Sequence, residues 1–137
     1  MRALLDTNVL LDVLLGRAPW VTESAAVWHA HDVGRIVGYV TACAVADVFY
    51  IAHRLSDLET AHQAVRLCLE AFQVCAVDIR ALEQAETLPG SDFEDNLQIA
   101  CSALAGLDAI VTRDKTGFEG APVPVLTPAE LLAQLRQ

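Results

Sequence analysis

The sequence is poor in basic residues. Nine Lys and Arg stand against 18 Asp and Glu in 137 residues, a formal net charge of −9. The only lysine is Lys115. Proteins that coat nucleic acid bind phosphate through clustered Lys and Arg, so this balance argues against that class. It leaves room for an enzyme that reaches phosphate through a metal ion. Long apolar runs are missing as well: no stretch approaches the ~18 uninterrupted apolar residues of a membrane-spanning helix, and no membrane partner is expected. Residues 1–15 loosely resemble the start of a secretory leader. Asp6 and Asp12 break that apolar run and no small-residue cleavage site follows, so no signal peptide is expected. The cysteines Cys43, Cys68, Cys75 and Cys101 form no CxxC pair and sit in apolar stretches. Buried free thiols and a reduced, cytoplasmic compartment follow. There is no Ser/Gly linker, low-complexity tract or convincing repeat, so residues 1–137 read as one domain.

What is present suits a folded chain. Hydrophobic residues make up 54% and charged residues 20%, which excludes a disordered protein. A chain of this length buries roughly 68% of its unfolded surface, enough for a core without staples. Short apolar runs alternate with longer helical patterns. Strands are expected at 2–6, 36–40, 74–77, 109–112 and 123–126. Helices are expected at 7–16, 20–33, 42–55, 57–72, 78–88, 93–105 and 128–135. Ser56 with Glu59 suggests a capping box, Pro89-Gly90 a turn, Gly106 a helix stop and Thr127-Pro128 a helix start. Strands alternating with helices imply an α/β fold, a central parallel sheet covered by helices on both faces. Such sheets place ligands beyond the carboxyl ends of their strands.

Six acids draw attention by position. Asp6 ends the first strand, where it can cap the following helix; with Thr7 and Asn8 it also clusters polar oxygens at the end of a buried strand. Asp47 lies in Ala42–Ala52, apolar nearly all round, where an unpaired carboxylate is costly. It is either a structural acid satisfied by a local bond or Arg54, or a ligand facing a cleft. Asp92, Glu94 and Asp95 open a helix, which the helix dipole alone would explain. On a helical wheel Phe93, Leu97, Ala100, Cys101 and Leu104 form the core stripe. Asp92, Asp95 and Asn96 share a neighbouring face, and Glu94 points to water. Asp114 lies just past a strand, either as a turn residue or as a partner for Asp6 at an equivalent place in the sheet. Arg113 and Lys115 flank it and either contact phosphate or balance charge.

Clustered Asp oxygens without a matching His or Cys set suit a hard cation, Mg²⁺ or Mn²⁺. Such ions support hydrolysis of phosphodiesters. His29 and His31 are two apart on a helix and do not face one another; His53 and His62 read as surface. Trp20, Trp28, Phe49 and Tyr50 read as core rather than as base-stacking platforms, or as an interface if exposed. Arg17, Arg35, Arg54, Arg66 and Arg80 are scattered and form no obvious phosphate track.

Three segments together resemble a known family. Leu5-Asp6-Thr7-Asn8-Val9-Leu10-Leu11-Asp12 resembles the opening of PIN-domain proteins. Asp92-Phe93-Glu94-Asp95-Asn96-Leu97-Gln98 and Ile110-Val111-Thr112-Arg113-Asp114-Lys115-Thr116-Gly117-Phe118 are similar to that family's third and fourth acidic motifs. The resemblance spans nearly the whole chain, with order and spacing in agreement. It implies a PIN-like three-layer fold. It also implies a metal-dependent endoribonuclease, frequently the VapC-type toxin of a type II toxin–antitoxin pair. Asp6, Asp47, Asp95 and Asp114 then match the four catalytic acids. The metal falls to Asp6, Asp95 and Asp114, with Asp92 beside them, and Thr7, Asn8, Thr112 and Arg113 support the site. Mg²⁺ or Mn²⁺ as cofactor, RNA as substrate, a cognate antitoxin and a homodimer are implied with it. One departure stands out: the second acid is commonly Glu, and Asp47 is one methylene shorter. An interaction module that keeps the fold with a weakened site is the alternative. A receiver-like signalling domain fits worse, because Asp6 lacks an adjacent acid and Lys115 sits beside Asp114.

Overall fold

The computed structural model describes all of residues 1–137. Five strands form one sheet: β1 (Arg2–Leu5), β2 (Val37–Thr41), β3 (Gln73–Cys75), β4 (Ala109–Val111) and β5 (Val125–Leu126). Their order is β3-β2-β1-β4-β5, and every pairing is parallel. Seven helices cover it: α1 (Thr7–Leu14), α2 (Val21–Asp32), α3 (Ala42–Leu55), α4 (Leu58–Ala71), α5 (Ile79–Glu86), α6 (Phe93–Leu104) and α7 (Pro128–Leu135). A short 3₁₀ turn, Thr116–Phe118, lies in the loop read as polar.

The pleat sorts the strand side chains into two layers. Ala3, Leu5, Ala109 and Val111 join the larger core under α1–α4 and α7. Leu4 and Ile110 point the other way, onto Ile99, Leu107 and Phe118. A third cluster joins α5 to α6 through Ala81, Ala85, Leu97, Ala100 and Cys101. Both faces of the sheet are therefore covered, as parallel pairing requires. His31 ties α2 into this frame: its Nδ1 accepts from Gly38 N at 2.9 Å and its Nε2 meets the Ala71 carbonyl.

Several local expectations change. The cap of α4 is Asp57, whose carboxylate accepts from Thr60 N at 2.7 Å, while Ser56 Oγ donates to Thr60 Oγ1 instead. β3 covers 73–75 rather than 74–77, because its three residues are those that pair with β2. Helix α3 is not buried all round: Ala42, Ala46 and Tyr50 form an exposed stripe. On α6 the core side is Asn96 to Ser102, while Phe93 and Leu104 are exposed. Cys68 and Cys101 are buried, but Cys43 and Cys75 are only half-buried, and all four are free. Burial pushes the Cys68 and Cys101 thiols up to about 11. Trp20 and Tyr50 are exposed rather than core. No helix is long and apolar enough to cross a membrane.

Candidate active site

The most buried acid lining the cleft is Asp6, directly after β1. Its backbone N–H continues the sheet by donating to Val111 O at 2.9 Å. Its side chain caps α1, with Oδ1 accepting from Thr7 N at 2.7 Å. Gln98 of α6 donates to the same oxygen at 2.8 Å, and Thr112 Oγ1 donates to Oδ2 at 2.8 Å. Three donors thus fix a carboxylate that is 7% exposed. Each carboxylate oxygen has two lone pairs, so Oδ2 keeps one for a further partner. Asn8 supports this corner from below. Its Nδ2 donates to Thr112 Oγ1 at 3.4 Å and its Oδ1 accepts from Arg113 N at 3.3 Å, tying α1 to the end of β4.

A cleft of about 420 Å³ opens over Asp6. Asp47, Asp92 and Asp95 line it with Asp6, Thr7 and Asn8. Asp92 caps α6 by accepting from Asp95 N at 3.1 Å. The Asp95 carboxyl is pushed up to about 6, first by burial, then by the charges of Asp92, Asp6 and Asp114. Asp47 is also raised, by burial and then by Asp92. It makes no ion pair with Arg54; the three ion pairs are Asp12–Arg17, Asp12–Arg113 and Lys115–Glu130.

Asp114 differs from the others. It is exposed and serves the turn, with Oδ1 accepting from Thr116 Oγ1 at 2.7 Å and Thr116 N at 3.0 Å. Those bonds hold its carboxyl below the usual range. Asn96, expected on the acidic face, is instead buried and donates to Gly90 O at 2.9 Å. Glu94, expected in water, lines the cleft. Lys115 is drawn away to Glu130 at 2.6 Å.

The fold also gathers cations that look scattered in sequence. Arg17, Arg54 and Arg113 line the cleft. Asp12, fully buried, holds two of them: Oδ1 accepts from Arg17 Nε at 2.9 Å and Oδ2 from Arg113 Nε at 2.7 Å. Sequence reading gave Asp12 no role beyond interrupting an apolar run. Gln98 was likewise missed; its polar side chain on a buried helix face was the available signal.

The donor set fits a hard divalent cation. The Asp95 carboxylate receives no hydrogen bond, and burial first, then the charges of Asp92, Asp6 and Asp114, disfavour its ionised form. Thr7 Oγ1 and Gln98 Oε1 are buried without partners, so oxygen acceptors remain for a cation or its water shell. No three acids, histidines or cysteines stand as a ready-made metal-ligand set.

An all-parallel α/β sheet with converging acids beyond its strand ends defines a class of acidic-cleft domain. The PIN domain family profile matches residues 2–116, and the chain belongs to the PIN-domain family. Solved structures of the same fold include a toxin–antitoxin complex from Klebsiella pneumoniae, 23% identical, with a TM-score of 0.67 over 92% of this chain and 97% of that one. Another is VapC20 of Mycobacterium tuberculosis, a sarcin–ricin loop cleaving toxin: 14% identical, TM-score 0.71, covering 85% of this chain and 92% of that one. A third is the DNA-bound VapBC of Salmonella typhimurium: 15% identical, TM-score 0.69, covering 93% and 98%. Among curated proteins, no match was found.

Proposed function

We propose that this protein is a metal-dependent endoribonuclease, the toxin of a type II toxin–antitoxin pair. The observation that carries the reading is the convergence of Asp6, Asp47, Asp92 and Asp95 on one cleft, where burial and the neighbouring acids push the Asp95 carboxyl up to about 6. A divalent cation among those acids would relieve the mutual repulsion that raises Asp95. Asp6 and Asp95 would hold Mg²⁺ or Mn²⁺, with Asp92, Asp114 and Asp47 around them. The bound ion would activate water and neutralise charge at the phosphodiester.

The chain's own residues do the rest. Gln98, Thr112 and the Thr7 amide keep Asp6 aimed into the cleft. Arg54, which has no ion pair, faces the cleft where RNA phosphates would approach, and Arg17 and Arg113, anchored on Asp12, form the wall beside it. Guanidinium groups suit that contact. Structures of similar fold are complexes with antitoxins, which supports an antitoxin as partner here. The exposed α3 face beside Phe49 and Val65, over a cavity of about 450 Å³, supports a homodimer.

The shorter acid Asp47 and the lack of a ready three-ligand set favour a second reading, a PIN-fold interaction module with a weakened site. Incubation of the wild-type protein with structured RNAs in Mn²⁺, Mg²⁺ or EDTA separates the two. The nuclease reading expects cleavage in the metal lanes alone. No cleavage in any lane favours the module.

A further inference from the structure

A second cavity, of about 260 Å³, adjoins the acidic cleft between the starts of α2 and α7. Trp20, Glu23, Ser24, Arg113, Thr127 and Pro128 line it. Arg113 lines both cavities, so one guanidinium forms the wall between them. Its Cζ lies 3.9 Å from the centroid of the Trp20 ring, and the indole stays 44% exposed. Ser24 is 1% exposed, and its Oγ has no hydrogen-bond partner. Buried hydroxyls are normally paired, because leaving one unpaired destabilises the fold. Thr127 Oγ1, by contrast, is occupied, accepting from Glu130 N at 3.2 Å.

The charge of this cavity selects its ligand. Asp12 already offsets Arg113 through bonds of 2.7 and 3.2 Å, and Glu23 adds a negative charge. The cavity is therefore a poor phosphate site. It offers an indole, a guanidinium, a proline, a free hydroxyl and a carboxylate. Flat aromatic and guanidinium surfaces with a few polar groups are what unpaired bases use in single-stranded RNA recognition. The volume lies below the roughly 300 Å³ lower bound of drug-sized pockets, which suits a single base.

We propose that this cavity is a nucleobase subsite. It takes one unpaired base of an RNA strand whose neighbouring phosphate reaches the acidic cleft past Arg113. The proposal rests on the nuclease reading above. Trp20 and Arg113 supply the stacking surface. Ser24 Oγ and the Glu23 carboxylate meet the polar edge of the base. A carboxylate accepts from an exocyclic amine without opposition, whereas uracil's single N3–H is flanked by two carbonyl oxygens that repel it, so adenine and cytosine are preferred over uracil.

The test is binding of dye-labelled single-stranded RNA hexamers to the full chain in EDTA, with each position made abasic in turn. One position is expected at which removing the base weakens wild-type binding about tenfold, within the range of base–aromatic stacking. The same removal costs the Trp20→Leu variant nothing further, because the two changes delete one contact. Ser24→Ala is expected to weaken the same hexamer while its melting temperature stays level or rises. Uracil at that position binds several-fold more weakly than adenine or cytosine, and Glu23→Gln flattens the ranking. Losses that multiply at every position overturn the subsite, since Trp20 would then act only by packing Arg113. Wild-type binding that ignores base removal everywhere overturns it equally. RNA cleavage with either result refutes the subsite and leaves the nuclease reading intact. Coupled binding without cleavage in Mn²⁺ or Mg²⁺ keeps the subsite and refutes the nuclease.

Discussion

Gly117 lies so close to Asp95 that a Cβ at position 117 would sit 1.8 Å from Asp95 Oδ2 and 2.8 Å from its Cγ. The 3₁₀ turn after β4 therefore sets where the third acid of the cleft can point. Gly117→Ala is expected to turn the Asp95 carboxylate aside at a modest rotamer cost, about 1 kcal/mol. RNA cleavage should fall about a hundredfold, the usual consequence of a reacting group misplaced by an ångström. Urea denaturation and single-turnover cleavage measure the two effects separately. A large loss of stability with unchanged cleavage per folded molecule would contradict this role.

Asp12 anchors the cationic wall. Asp12→Ala removes a buried acceptor shared by Arg17 and Arg113. Breaking a buried pair costs about 3–5 kcal/mol when the remaining charge is trapped. Here both arginines are about a quarter exposed and can reach water, so about 2 kcal/mol is expected. KM for RNA should rise more than kcat falls, because the freed arginines bind phosphate less specifically. Denaturant midpoints and steady-state kinetics check both.

Asp95 gives the stability curve a definite sign. Its carboxyl pKa, pushed up to about 6, lies above the ordinary aspartate value of 3.8. Between those pH values the native state holds more protons than the unfolded chain, so this group makes stability fall as pH rises. Its destabilising effect is complete above about pH 6 and absent below the unfolded pKa. Asp95→Asn in EDTA should therefore raise stability at pH 7.5 and change it little at pH 3.5. The gain is expected to be about 1–2 kcal/mol, after allowing for solvent screening of a group this exposed. Melting curves across that range test it; equal gains at both ends would contradict the cause assigned.

Much of this architecture was legible in the residues. The run Ala3-Leu4-Leu5 followed by Asp6-Thr7-Asn8 marks a buried strand ending in polar oxygens, and the structure builds that corner. Alternating apolar runs and helical patterns predicted the parallel sheet, although not the strand order, which depends on contacts between distant segments. The same limit hid the Asp12–Arg113 pair, whose partners lie 101 positions apart. Helical periodicity misjudged α6: it placed Phe93 and Leu104 in the core and missed Gln98. Periodicity alone does not say that a glutamine is buried to hold Asp6. The helix carrying Asp47 looked mostly buried because its residues are apolar, yet the outward stripe Ala42, Ala46 and Tyr50 leaves it half open.

The central claim is that Asp6 and a divalent cation together cut RNA. The most direct measurement compares wild type with Asp6→Asn on one RNA panel, in Mn²⁺, Mg²⁺ or EDTA, after circular dichroism confirms that both are folded. The account predicts cleavage by the wild type in the metal lanes, and a loss of about a thousandfold or more in Asp6→Asn, of the size seen when a principal electrostatic group is removed. Metal-dependent cleavage that survives in Asp6→Asn at the wild-type rate would contradict it.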